Sequence, residues 1–213
     1  KVKEPMPEEF EYLSNQHTLF TYFHLAGNKE QAKELVKTGI TAIAYETVTA
    51  EDGSLPLLAP MSAIAGQIGF VVGSYFLLKP NKGIGVLLDS IGDIEPRVVT
   101  VIGAGVAGTE AIKKAVVSGA YVKIIDLSEE KLKQLQQRFG ENKIEYIIST
   151  PETITEALAC SDLVIGSVYV VGKEAPKVIT KEMISKMKPG SVLVDIAIDQ
   201  GGCIETSKPT THD

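Results

Sequence analysis

The chain has 213 residues, a formal net charge of −6 and a pI near 5.2, with no basic block, which argues against a nucleic-acid surface. That length buries the core of one domain and part of another. Cys160 and Cys203 lack the spacing of a metal or redox pair, and two such thiols, buried or half-buried, suit a reducing cytoplasm.

The first residue is Lys1 rather than Met, and we expect the natural sequence to begin upstream. Leu19 to Leu25 (LFTYFHL) reads as an aromatic, β-rich strand. Asn28 is placed to cap a helix over Lys29–Lys37, with Gly39 ending it. Ile40 to Val48 (ITAIAYETV) reads as a second strand, broken by the Asp52-Gly53 turn. Strand, helix and strand in that order make residues 1–56 the remainder of a first α/β domain.

No charge interrupts Gly53 to Leu78, a length that raises the question of a membrane span. Pro56, Pro60, Gln67, Ser74 and three glycines argue instead for a buried helix joining two domains. Gly66, Gly69 and Gly73 fall on one helical face, where small residues admit another backbone. That backbone belongs either to the chain itself or to a neighbouring copy. Ile64, Ile68, Val71 and Tyr75 form an apolar stripe beside them. A glycine-rich connector follows from Pro80 to Pro96.

Residues 57–213 then read as a dinucleotide-binding domain of Rossmann type, a doubly wound parallel sheet. Its strands are expected at Val98–Ile102, Tyr121–Asp126, Ile144–Ile148, Leu163–Gly166 and Ser191–Ile198. Helices are expected at Glu129–Phe139, capped by Ser128, near Glu152–Ala159 and near Lys181–Met187, besides one opening at the glycine motif. Such a sheet has six strands, and the sequence stops soon after the fifth, so we expect it to continue.

The most informative segment is the turn Gly103-x-Gly105-x-x-Gly108 between the first strand and its helix. Gly103 permits the tight turn, Gly105 lacks the Cβ that would hold a pyrophosphate off the backbone, and Gly108 lets helix and strand pack closely. The helix N-terminus offers free N–H groups and the positive end of its dipole to phosphate. Asp126 ends the second strand, where an acid takes the adenosine ribose hydroxyls. No Arg or Lys between Asp126 and Glu130 greets a 2′-phosphate, so NAD is favoured over NADP.

Seven stretches together resemble the alanine dehydrogenase/pyridine nucleotide transhydrogenase family, and within it the alanine dehydrogenases. They are KVKEP (1–5), LFTYFHLA (19–26), TAIAYETV (41–48), DGSLPLLAPMSAIAG (52–66), GAGVAG (103–108), DLVIGSV (162–168) and KPGSVLVDIAIDQGGC (188–203). The match runs through nearly the whole chain and covers the middle of such an enzyme. It implies reversible oxidative deamination of L-alanine to pyruvate and ammonia with NAD in the cytoplasm. It also implies an assembly of identical copies, commonly six; from the charge, the cysteine spacing and the broken apolar run we expect no nucleic acid, no metal and no membrane partner.

Residue by residue, the resemblance makes Lys3 the substrate-binding lysine and His24 and Asp199 the catalytic pair. Asp199 is preferred to Asp195 because it lies just past the strand end. For NAD the resemblance adds Ser62, Lys131, Ser149, Val168, Tyr169, Ile196, Ala197, Ile198 and Lys208 to the glycines and Asp126. Its N-terminal arginine has no counterpart here. His17 and His212 match nothing and read as surface residues. Two other readings stay open: the NAD(H)-binding subunit of a proton-translocating transhydrogenase, and a non-catalytic NAD-binding module.

Overall fold

A computed structural model describes residues 1–210; His212 lies outside the described residues. Strand β1 (Thr18–Thr21) pairs in parallel with β2 (Thr41–Ala44), from Thr18 opposite Thr41 to Thr21 opposite Ala44. Helix α1 (Lys29–Thr38) makes the crossover between them. Asn28 Oδ1 accepts the N–H of Gln31 at 3.0 Å, and Gly39 closes the helix at φ 71°, the left-handed position where glycine escapes a Cβ clash. Ahead of β1, the N-terminal segment is tied alongside the pair. Tyr22 N–H donates to Val2 O at 3.0 Å and the buried Thr21 hydroxyl to Lys3 O at 2.8 Å.

Both strands are shorter than the apolar runs that signal them. β1 leaves the sheet after Thr21, and β2 passes after Ala44 into a 3-10 turn, Tyr45–Thr47. The cause is tertiary: the turn carries Glu46 across to residues 23 and 24, whose N–H groups bond to its carboxylate instead of a ladder.

Helix α2 (Ala59–Phe76) links this pair to the main sheet. No helix among the described residues is long and apolar enough to cross a membrane. Nor is α2 buried all round, as the sequence led us to expect. Gly66, Gly69 and Gly73 face inward, while Ile64, Ile68, Val71 and Tyr75 are each more than half exposed. The small-residue face serves the chain itself rather than a second copy. A Cβ on Gly66 would run into the backbone oxygen of Ala107, and one on Gly73 would lie 2.5 Å from Leu163 Cδ1.

The main sheet holds β3 (Val98–Ile102), β4 (Tyr121–Asp126), β5 (Ile144–Ile148), β6 (Leu163–Gly166) and β7 (Val192–Asp195), all parallel, in the order β5-β4-β3-β6-β7. Helices α3 (Val106–Val117), α4 (Glu129–Phe139), α5 (Pro151–Cys160) and α6 (Lys181–Ile184) complete a doubly wound α/β unit. Parallel strands covered on both faces read as β-branched runs, and the two faces separate cleanly here. Val99, Val101, Ile124 and Ile165 pack with α2, α3 and α4, while Ile102, Ile125 and Val164 pack with α5. The strand order reverses between β3 and β6, so the crevice at their carboxyl ends is the switch point where such sheets bind ligands.

Two elements end earlier than their sequence suggests. α6 stops at Ile184 because Lys186 and Met187 bond three residues back. β7 stops at Asp195 rather than Ile198, because Asp195 Oδ1 accepts the N–H of Ala197 and turns the chain into a 3-10 segment, Ile196–Gln200.

Cys160 is half-buried and Cys203 is fully buried, both as free thiols. Burial first, then the Asp195 carboxylate, pushes the Cys203 thiol from 9.0 up to about 12. Between those values the folded chain keeps a proton that the unfolded chain has released, so stability falls as pH rises through the window. We expect a loss of about 2–3 kcal/mol by about pH 11, at 1.36 kcal/mol per unit. Cys203→Ala should flatten that slope in urea unfolding measured near pH 8 and pH 11; equal slopes for the two proteins would contradict it.

Candidate functional site

A cavity of about 310 Å³ opens between the N-terminal pair and the carboxyl ends of β3, β6 and β7. Lys3, Tyr22 and His24 line it from one side, Met61, Ser62 and Ala65 of α2 from a second, and Ala107, Ser167, Tyr169, Ile196, Ala197 and Asp199 from the third. A larger hollow of about 580 Å³ lies between the N-terminal segment and α1. Its polar lining, Glu4, Asn28, Glu30, Gln31 and Glu34, holds none of the expected site residues. The smaller cavity is therefore the candidate site.

His24 stands there in an unusual conformation, φ 52°. Left-handed backbone costs a non-glycine residue about 1–3 kcal/mol and persists only where the surroundings over-determine it. Glu46, 4% exposed, supplies that support. Its carboxylate accepts the N–H of Phe23 at 3.1 Å and that of His24 at 2.7 Å. The imidazole stacks on Tyr22, with centroids 6.0 Å apart, and its Nδ1 lies 3.3 Å from Glu4 Oε2. Lys3 is exposed, with its backbone fixed by Thr21 and its side chain at the cavity wall.

Across the cavity, the structure separates the two aspartates. Asp195 is fully engaged in holding the chain. Its oxygens accept the N–H groups of Ala197, Cys203 and Ile204 and the hydroxyl of Ser207. Asp199 is exposed, in the 3-10 segment, and lines the cavity. Gly27 meets it from the other domain: a Cβ there would strike the Asp199 carbonyl oxygen. Tyr169 makes a second bridge, donating its hydroxyl to Glu46 O at 3.3 Å. Its phenol is held above the ordinary range, by burial first and then by the Glu46 charge.

The glycine turn adjoins this wall. Gly103 has φ 99°, and a Cβ on it would lie 2.8 Å from Ser167 O. A Cβ on Gly108 would overlap the Gly103 carbonyl oxygen, so helix and strand touch there. At Gly105 a Cβ would meet nothing within 4 Å, so the space over the α3 N-terminus is open. Asp126 carries the turn from below, Oδ2 accepting Ala104 N–H at 2.6 Å and Oδ1 accepting Ser128 N–H at 2.8 Å. An open glycine at a helix N-terminus with an acid at the next strand end fits a dinucleotide.

The remaining expected residues lie outside the cavity. Ser149 sits beside Asp126, its N–H donating to Asp126 O at 3.0 Å. Val168 packs on the α5 side of the core, and Ile198 is half-buried in the 3-10 segment. Lys131 and Lys208 are exposed, Lys131 on the first turn of α4. Sequence reasoning missed Glu4, Gly27, Glu46 and Ser167. Glu4 and Glu46 stood in quoted motifs, but no local spacing marks a partner some twenty residues distant.

Family models for the N-terminal and C-terminal domains of alanine dehydrogenase/PNT match residues 1–65 and 69–213. The chain belongs to the alanine dehydrogenase/PNT family. It is 51% identical over 212 residues to the alanine dehydrogenase of Halomonas elongata and 50% identical over 214 residues to that of Bacillus subtilis. All of this chain is covered in both, against 57% and 56% of those proteins; the chain thus spans little more than half their length. Among solved structures, an L-alanine dehydrogenase superposes with a TM-score of 0.86 at 46% identity, covering 100% of this chain and 58% of its own. A transhydrogenase from Sinorhizobium meliloti superposes at 0.75 and 26% identity, covering 98% and 60%. Within the family, this chain is therefore nearer to those alanine dehydrogenases than to that transhydrogenase.

Proposed function

We propose that the protein is an NAD-dependent L-alanine dehydrogenase, interconverting L-alanine, water and NAD⁺ with pyruvate, ammonium, NADH and a proton. One observation carries this reading: Lys3, His24, Ser62, Tyr169 and Asp199, distant in sequence, line one cavity beside an open glycine turn. Residues 1–56 supply the substrate wall and residues 57–213 the NAD wall. We place the protein in the cytoplasm, where Cys160 and Cys203 stay reduced.

Bound NAD supplies the acceptor for the hydride that leaves alanine Cα. Gly103, Gly105 and Gly108 with the α3 N-terminus hold its pyrophosphate, and Asp126 its adenosine ribose, with Ser149 and Lys131 nearby. Ser62, Val168, Tyr169 and Ile196 to Asp199 hold the other end, and Lys208 flanks it. The Lys3 ammonium pairs with the substrate carboxylate. His24 takes a proton from the water that attacks the imine carbon and returns it to the departing amine. Asp199 orients the substrate ammonium group and that water. The family resemblance further supports an assembly of six copies.

Stopped assays of the full-length protein with pyruvate, ammonium and NADH test the reading. We expect loss of NADH absorbance that requires both co-substrates, and an increase of tenfold or more in the KM for pyruvate on Lys3→Ala, about 1.4 kcal/mol. NADH binding without turnover would leave only a binding module. Hydride exchange with NADPH in its place would favour the transhydrogenase subunit.

A further inference from the structure

Glu46 is a buried carboxylate at the site, 4% exposed, that the reaction above does not use. It makes no ion pair among the described residues; its partners are two consecutive backbone N–H groups, those of Phe23 and His24. His24 is one of only three non-glycine residues with positive φ among those described. Lys82 and Lys143, the other two, lie outside the cavity. Of the three, only His24 has its amide held by a carboxylate reaching in from another element.

We propose that Glu46 is a positioning residue: by accepting the N–H groups of Phe23 and His24 it holds residue 24 in the left-handed region and so presents the imidazole to the cavity. The inference rests on the reading of His24 as the proton carrier. Glu46 Oε1 accepts both N–H groups, at 3.1 and 2.7 Å, and Oε2 takes a second share of the Phe23 N–H at 3.3 Å, so a carboxylate, whose oxygens accept and never donate, suits the task. Glutamine keeps one acceptor but loses the charge that strengthens these bonds and sets an amide NH2 against the Phe23 N–H, and aspartate is one methylene too short. The same residue is reached from the opposite wall, where the Tyr169 hydroxyl donates to its backbone oxygen. The clamp thus sits where the two walls meet.

The test compares Glu46→Gln, His24→Ala and the double variant in the full-length protein. Glu46→Gln should lower kcat for alanine oxidation about tenfold or more, with the NADH Kd within about twofold of wild type. In the His24→Ala background the same change should leave the residual rate within about twofold, because residues acting as one unit are not additive. Wild-type kcat in Glu46→Gln, or equal losses in both backgrounds, would overturn the proposal. Should Glu46→Gln fail to fold, amide exchange in the wild-type protein decides instead. The His24 N–H should exchange at least about a hundredfold more slowly than in an unstructured chain, and free exchange would refute the clamp. If His24→Ala keeps the wild-type rate, the proton-carrier reading fails, while the exchange result still judges the clamp.

Discussion

Replacing His24 by alanine is expected to lower kcat for alanine oxidation by about 10²–10⁴-fold, the range for loss of a positioned general acid–base group. NADH affinity should stay within about twofold, since the glycine turn and Asp126 belong to the main sheet and lie outside the cavity lining that includes His24. The separation matters, because a variant that merely unfolded the cleft would lose both. The fold should tolerate the change. The imidazole is only partly buried, and Glu46 keeps its bonds to the backbone of residues 23 and 24 whatever the side chain. Steady-state rates with alanine and NAD⁺, beside fluorescence titration with NADH, give both numbers. Full activity in the variant would remove His24 from the mechanism.

The glycine turn offers the second large effect, and it divides into two opposite outcomes. Gly108→Ala places a methyl group on the carbonyl oxygen of Gly103 and 2.7 Å from Ser167 Oγ. The hydroxyl can rotate away, but the backbone oxygen cannot. Overpacking costs about 1–3 kcal/mol even where side chains can yield, so we expect about 3 kcal/mol or more, a fall in Tm of roughly 6–12 °C. Gly105→Ala should leave Tm unchanged within about 2 °C, because its φ of −74° suits any residue and its Cβ would meet nothing within 4 Å. The open space is where the pyrophosphate is proposed to lie, so NADH affinity should fall about tenfold or more, about 1.4 kcal/mol. A Gly105→Ala protein that binds NADH normally would put the cofactor elsewhere.

Much of the main sheet was legible because its signals are local. The ends of β3, β4, β5 and β6 coincide with the β-branched runs, and the caps at Asn28 and Ser128 make the bonds their positions require. The glycine spacing located the turn for the same reason. What the sequence hid depends on partners far along the chain. LFTYFHL reads as one strand through Leu25, yet it breaks at Thr21 because the Tyr22 amide turns to Val2 and Glu46 takes those of residues 23 and 24. Position along the strand already favoured Asp199 over Asp195, but what occupies Asp195, the N–H groups of residues 197, 203 and 204 and the Ser207 hydroxyl, is seen only in the fold. The glycines of α2 announced a close approach without naming the partner, which is Ala107 and the β6–β7 face of the same chain.

Gly27 sets how near the two jaws of the cleft come. It follows His24 by three residues and touches the Asp199 carbonyl where no Cβ would fit. The two jaws thus close as far as a missing carbon lets them, beside the bridge that Tyr169 makes to Glu46. A single methyl at residue 27 would act as a shim, pressing on the Asp199 backbone and so shifting proton carrier and carboxylate apart without altering either side chain.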